Sequence, residues 1–262
     1  MQRMATLNRR TFLALPPALC CAAEQARAAQ TQSLAHPMTL GVDTALFHSG
    51  LAAALQKAFG RDTGVAVTLS PGPALGLLKQ MQTEGSPLDA LLCNAPAAEL
   101  ALDTQGLVHD RHRMARGGFV LVGPAGGAAA PWPALLAALK DTPGAVMLSS
   151  PDGAGAQLAE QALWRAAKLT PAAPWHQLLP AGADVLAQAR SRRAWAVVER
   201  GEWLARGGAP LAVRAEGAPD LAEEVHVMRG FHSKHPAAKL FVAWVSSSKG
   251  LAVAARHRGY SA

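Results

Sequence analysis

Met38-Thr-Leu-Gly-Val-Asp-Thr-Ala-Leu-Phe-His-Ser-Gly-Leu-Ala-Ala-Ala-Leu-Gln-Lys-Ala-Phe59, followed shortly by Val65-Ala-Val-Thr-Leu69, sets the fold. Residues 38–42 are a short apolar run that suits a buried strand. Over 49–59 the apolar positions Leu51, Ala54, Leu55, Ala58 and Phe59 recur at helical spacing, and Gly64 offers a stop. Residues 65–69 again read as a strand. A strand, a helix and a strand in this order predict a parallel pair covered by the helix.

The same alternation continues in both directions along the chain. Ser70-Pro-Gly-Pro73 reads as a loop, 74–83 as a helix, 88–93 as a strand, and Pro96 suits the first residue of the next helix. A strand is expected over 119–122. Beyond it, helices are expected over 133–140, 157–167, 184–191, 236–246 and 249–256, and strands over 145–149, 194–198, 211–213 and 225–228. The fold class expected is α/β, with mostly parallel sheets flanked by helices. Residues 117–139 carry no charge, but their prolines and glycines break any membrane-spanning helix. Trp164 and Trp244 fall on apolar helical faces and read as core.

Composition narrows the function classes. The chain has 262 residues, half of them apolar, and a formal net charge of +7. Four of its 25 basic residues and one of its 18 acidic residues lie in the first 28 positions, so the remainder carries +4. The basic clusters His109-Asp-Arg-His-Arg113, Arg190-Ser-Arg-Arg193 and Arg256-His-Arg258 lack interleaved aromatic residues and read as solvated faces, not as a nucleic-acid surface. Asn8-Arg9-Arg10-Thr11-Phe12-Leu13 resembles a twin-arginine export signature. A weakly apolar stretch and Ala26-Arg27-Ala28 follow, which predicts cleavage near Ala28 and a periplasmic product. Cys20 and Cys21 would leave with that segment. Cys93 would stay without a disulfide partner and reads as a small buried hydrophobe.

In an open α/β fold, ligands sit beyond the carboxyl ends of the strands, where loops feed helix N-termini rich in free N–H groups. Three loops meet this description: Asp43-Thr44, Ser70-Pro-Gly72, and Ser149-Ser150-Pro-Asp152-Gly-Ala-Gly155. Asp152 suits a helix cap as well as a ligand contact. Enzyme signatures are missing: the chain has no Gly-x-Ser-x-Gly elbow and no phosphate-binding Gly-x4-Gly-Lys-Ser/Thr loop. His226, His232 and His235 lie close together in sequence, yet His235 precedes Pro236 at a helix start, so loop or capping roles are expected and not a metal site. No catalytic role and no cofactor are expected.

From about Leu40 to Ala255 the chain resembles the tungstate-binding proteins of ABC importers, a family of the type II periplasmic binding fold. The resemblance is carried by Ser49-Gly-Leu51 with Ala58-Phe59 and Thr63-Gly64, Leu88-Asp-Ala-Leu-Leu92 with Pro96-Ala-Ala-Glu99, and Phe119-Val-Leu-Val-Gly-Pro124. It continues through Ala162-Leu-Trp-Arg-Ala-Ala167, Glu199-Arg200-Gly201, and Lys234-His235-Pro236 with Phe241 and Trp244. It implies two lobes joined by a hinge, residues 29–117 with 225–262 and residues 118–224. It further implies a monomer that closes on a small oxyanion, tungstate or molybdate, and presents it to a membrane permease. The ligand-binding positions it implies are Asp43, Thr44, Ser70, Gly72, Ser149, Ser150, Asp152, Gly155 and Arg200.

Several of those positions depart from the family pattern. The first loop keeps one hydroxyl, at Thr44, and the third has Ala154 and Ala156 in place of hydroxyl residues. Each lost hydroxyl removes a hydrogen bond worth about 1.5–3 kcal/mol to a charged partner. Asp43 places a negative charge where an anion would sit. The ligand therefore stays open between these oxyanions, another anion and a different solute. A binding or sensor module that works without a transporter is the alternative.

Overall fold

A computed structural model of the chain describes residues 33–126 and 130–262. The export segment, Cys20, Cys21, the cleavage site near Ala28 and residues 127–129 of the uncharged stretch lie outside the described residues.

Strand β1 (Met38–Asp43) runs parallel to β2 (Val67–Gly72) on one side and to β3 (Ala90–Cys93) on the other. The segment Ser70-Pro-Gly72, expected as a loop, is the end of β2, where Ser70, Pro71 and Gly72 pair with Gly41, Val42 and Asp43. Proline is tolerated there because β2 is an edge strand, with no further neighbour needing its missing N–H. After β1 the chain turns at once into a short helix, α1 (Thr44–His48), and then α2 (Leu51–Thr63). Gly50 links the two at φ 84° and Gly64 ends α2 at φ 73°, a backbone region that glycine enters without strain. Helix α2 buries Leu51, Ala52, Leu55, Ala58 and Phe59. Helices α3 (Ala74–Met81) and α4 (Pro96–Thr104) follow β2 and β3, with Pro96 in the first turn as expected.

The strand expected at 119–122 is far longer. β4 spans Val108–Pro124, and through residues 108–118 it pairs antiparallel with β9 (Ala222–Gly230). Its first half was hidden in the sequence because histidines and arginines interrupt the apolar alternation. Ion pairs hold those residues: Arg111 with Glu99, Arg113 with Glu224, and Asp110 with Arg229. From Phe119 onward β4 pairs instead with β7 (Ala196–Glu199) and β8 (Leu211–Ala215), both antiparallel. Among the described residues the main sheet therefore reads β2-β1-β3-β9-β4-β7, with β8 also beside β4. The parallel pairing expected from the alternation holds at β1–β2, at β1–β3 and between β5 (Met147–Ser149) and β6 (His176–Leu178). It gives way at β4 and β9, which need no helical crossover.

The remaining helices are α5 (Trp132–Leu139), α6 (Gly155–Ala167), α7 (Val185–Arg192), α8 (Arg200–Arg206), α9 (Pro236–Val245) and α10 (Ser248–Arg256). Two groups of apolar cores result, one on each side of the β4 crossing. Phe59, Phe241 and Trp244 meet edge to face in the first, with ring centroids 5.1 and 5.6 Å apart. Trp132, Trp164 and Phe119 anchor the second. This is the two-lobed α/β arrangement. Cys93 is fully buried and burial pushes its thiol well above the ordinary value, in keeping with a packing role. His235 accepts from the Ala237 N–H at 3.1 Å and so caps α9. No helix of the described residues is long and apolar enough to cross a membrane.

Candidate functional site

Strands β1 and β5 both end where a helix begins, and these ends face one cleft. It encloses about 540 Å³, solvent at its mouth included, and is lined by Thr44 and His48 from α1, by Ser149 at the end of β5, and by Ser150 and Asp152 from the loop that follows. Gln157, Glu160, Asp184 and Glu202 complete its polar wall. Among the described residues the lining carries four carboxylates and no lysine or arginine.

Beneath this lining lies Asp43, fully buried at the end of β1. Its Oδ1 accepts from the Ala45 N–H at 3.0 Å, and its Oδ2 accepts from the N–H groups of Ala74 and Gly155, both at 3.1 Å. Ala74 and Gly155 are the first residues of α3 and α6. The cap positions of those helices are Pro73 and Ala154, and neither supplies a side-chain cap. One carboxylate from a distant strand therefore satisfies helix starts that their own sequences leave uncapped. Burial raises the Asp43 pKa to about 6, while the three N–H groups pull it down. At neutral pH it is an anion.

The loop after β5 is held by its own side chains. Ser150 donates to Asp152 at 3.0 Å and Asp152 accepts from the Ala154 N–H at 2.9 Å, so Asp152 closes a local turn ahead of α6 and does not cap the helix itself. Gln157 accepts from the Gly153 N–H at 2.7 Å. Gly153 sits at φ 78°, and its carbonyl accepts from the Leu75 N–H at 3.0 Å, which stitches this loop to the start of α3. The Ser149 hydroxyl has no partner among the described residues, although the residue is only 3 % exposed.

On the opposite wall His48 lies 3.0 Å from Glu202, Glu202 accepts from Arg206 at 2.6 Å, and Arg206 also binds Asp184. The hydrogen bond to Glu202 raises the His48 pKa above its ordinary value. These residues escaped the sequence reading because they converge from α1, α7 and α8. The one local signal was the four-residue spacing of Glu202 and Arg206.

Of the residues implied by the resemblance, Thr44, Ser149, Ser150 and Asp152 line the cleft. Asp43 and Gly155 bond to each other beneath it. Ser70 and Gly72 are in β2 and do not line it. Arg200 does not line it either. Its Nε donates to Glu216 at 3.1 Å on an exposed face, beside a separate surface hollow with Arg116 and Tyr260. It starts α8, and its side chain leaves on the side of β8, away from the cleft.

A family model described as bacterial extracellular solute-binding protein matches residues 48–260. The tungstate ABC transporter structure from Geobacter sulfurreducens is similar at a TM-score of 0.68 and 24 % identity, covering 84 % of this chain and 97 % of that one. The tungstate-binding protein TupA from Desulfovibrio alaskensis G20 has a TM-score of 0.66 and 22 % identity, over 86 % of this chain and 98 % of that one. The Azotobacter vinelandii periplasmic molybdate-binding protein has a TM-score of 0.60 and 18 % identity, over 86 % of this chain and 99 % of that one. At these identities the likeness is one of fold. No match is found among curated proteins. With the family model covering most of the chain, and a two-lobed α/β frame around a polar cleft, the chain belongs to the bacterial extracellular solute-binding protein family.

Proposed function

We propose that this protein is the periplasmic receptor of an ABC importer, capturing a small solute in the cleft and delivering it to a membrane permease. The observation that carries this reading is the cleft itself. Strand ends from both apolar cores meet there, and the hydroxyls of Thr44 and Ser149 face unfilled space. The fold's likeness to the tungstate ABC transporter structure and to the tungstate- and molybdate-binding proteins supports the transport role. The hinge in this reading lies at Gly117-Gly118, where β4 leaves β9 and takes up β7 and β8. Residues 29–117 with 225–262 then form one lobe and 118–224 the other, and the first 28 residues direct export.

Tungstate and molybdate head the list of solutes to test because proteins of similar fold bind them. The lining, rich in carboxylates and without lysine or arginine among the described residues, favours other solutes. The test is native mass spectrometry of the protein recovered from periplasmic expression, followed by a thermal-shift panel with the solute it carries. A ligand at a hundredfold excess over Kd adds about 2.7 kcal/mol to a folded protein, a rise of several degrees at this size. T44A/S149A should weaken binding roughly tenfold through lost hydrogen bonds. R200A should leave it unchanged. Binding that survives T44A/S149A at native affinity would move the site elsewhere.

A further inference from the structure

We infer that Asp43 is a built-in anion: its carboxylate takes the place an oxyanion would hold at converging N–H groups, and so bars oxyanions from the cleft. Backbone N–H groups at helix starts bind anions because they are unpaired and carry partial positive charge. Here the first residues of α3 and α6, with Ala45, aim their N–H groups at one point, and the two Asp43 oxygens already accept all three at 3.0–3.1 Å. The side chain is fully buried and fixed by the β1 strand that carries it. No side-chain cap competes for these helix starts, because Pro73 and Ala154 supply none.

A second observation points the same way. An oxyanion entering the cleft would meet Asp152, Glu160, Asp184 and Glu202 without a lysine or arginine among the described lining residues. Arg206, close by, is already shared between Glu202 and Asp184. Arg200 is paired with Glu216 outside the cleft. A free dianion would therefore give up its hydration for neutral hydroxyl donors, without a lysine or arginine in the described lining and against the charge of four carboxylates. The solute class that fits is uncharged or cationic, held by hydroxyls and carboxylates. The geometry also makes Asp43 a latch, since one carboxylate ties the starts of α1 and α3 to the start of α6.

The test uses the full protein and formate, the free counterpart of the Asp43 carboxylate. Native protein should show no thermal shift with millimolar tungstate, molybdate, sulfate or phosphate against matched sodium chloride. D43A, which empties the cradle but keeps the backbone, should melt several degrees lower and recover most of that loss in millimolar formate. D43N, which fills the same volume, should fold and ignore formate. Stabilisation of the native protein by micromolar oxyanion overturns the assignment. So does a folded D43A that ignores formate, or a D43N that answers to it. If D43A does not fold, the native titration still decides. The inference rests on the receptor reading only for the cleft's role. If T44A/S149A leaves solute binding intact while D43A responds to formate, the proposed solute site fails and Asp43 keeps its part.

Discussion

Asp43 concentrates the chemistry of this protein in one side chain, and its protonation should be visible in stability. Its pKa rises from 3.8 to about 6 in the folded state, chiefly through burial. The folded protein thus holds that proton more tightly than the unfolded chain. Its stabilising contribution is complete below about pH 4 and is lost as pH rises through about 6, a change of roughly 3 kcal/mol. Burial likewise raises Glu199 and Glu223, neighbours whose charges oppose each other, and Glu223 Oε2 is buried without a partner among the described residues. These acids act in the same direction as Asp43. The melting temperature should fall between pH 4.5 and 7.5, and by less in D43N. Equal slopes in the two proteins would mean that Asp43 does not titrate in this window.

At the scale of elements, the cradle depends on how α6 begins. Gly155 has no room for a side chain, because a Cβ there would lie 2.1 Å from Asn94 Oδ1. Asn94 is itself held at 2.6 Å by Glu223 and cannot retreat freely. G155A should therefore displace the start of α6 from Asp43 and cost about 1–3 kcal/mol, the usual range for overpacking. Thermal denaturation would show a loss of several degrees, and retention of the native melting point would mean that the helix start tolerates the shift. The elements themselves were largely legible. The spacing of Leu51, Leu55 and Phe59 gave α2, and Pro96 marked α4. The first half of β4 was not legible, because Asp110, Arg111 and Arg113 read as a solvated cluster. Their partners Arg229, Glu99 and Glu224 are over ten to more than a hundred residues away.

At the scale of the whole molecule, β4 and β9 tie the two apolar cores into one sheet, and the Asp43 carboxylate adds a second tie across the cleft. Solute capture by lobe closure predicts that saturating solute lowers the radius of gyration seen by small-angle scattering. An unchanged radius would point to a cleft already shut by Asp43. The sequence by itself determined most of the order of strands and helices, though not β6 or α8, together with apolar faces such as that of α2 and a loop or capping role for His235. These depend on periodicity and on neighbours a few residues apart. Only the tertiary structure decided that Arg200 faces away from the cleft, that His48 meets Glu202, and that three helix starts share the carboxylate of Asp43. Gly155 lies 112 positions from Asp43, and local spacing carries no information about which uncapped N–H groups a buried carboxylate will find once the sheet has formed.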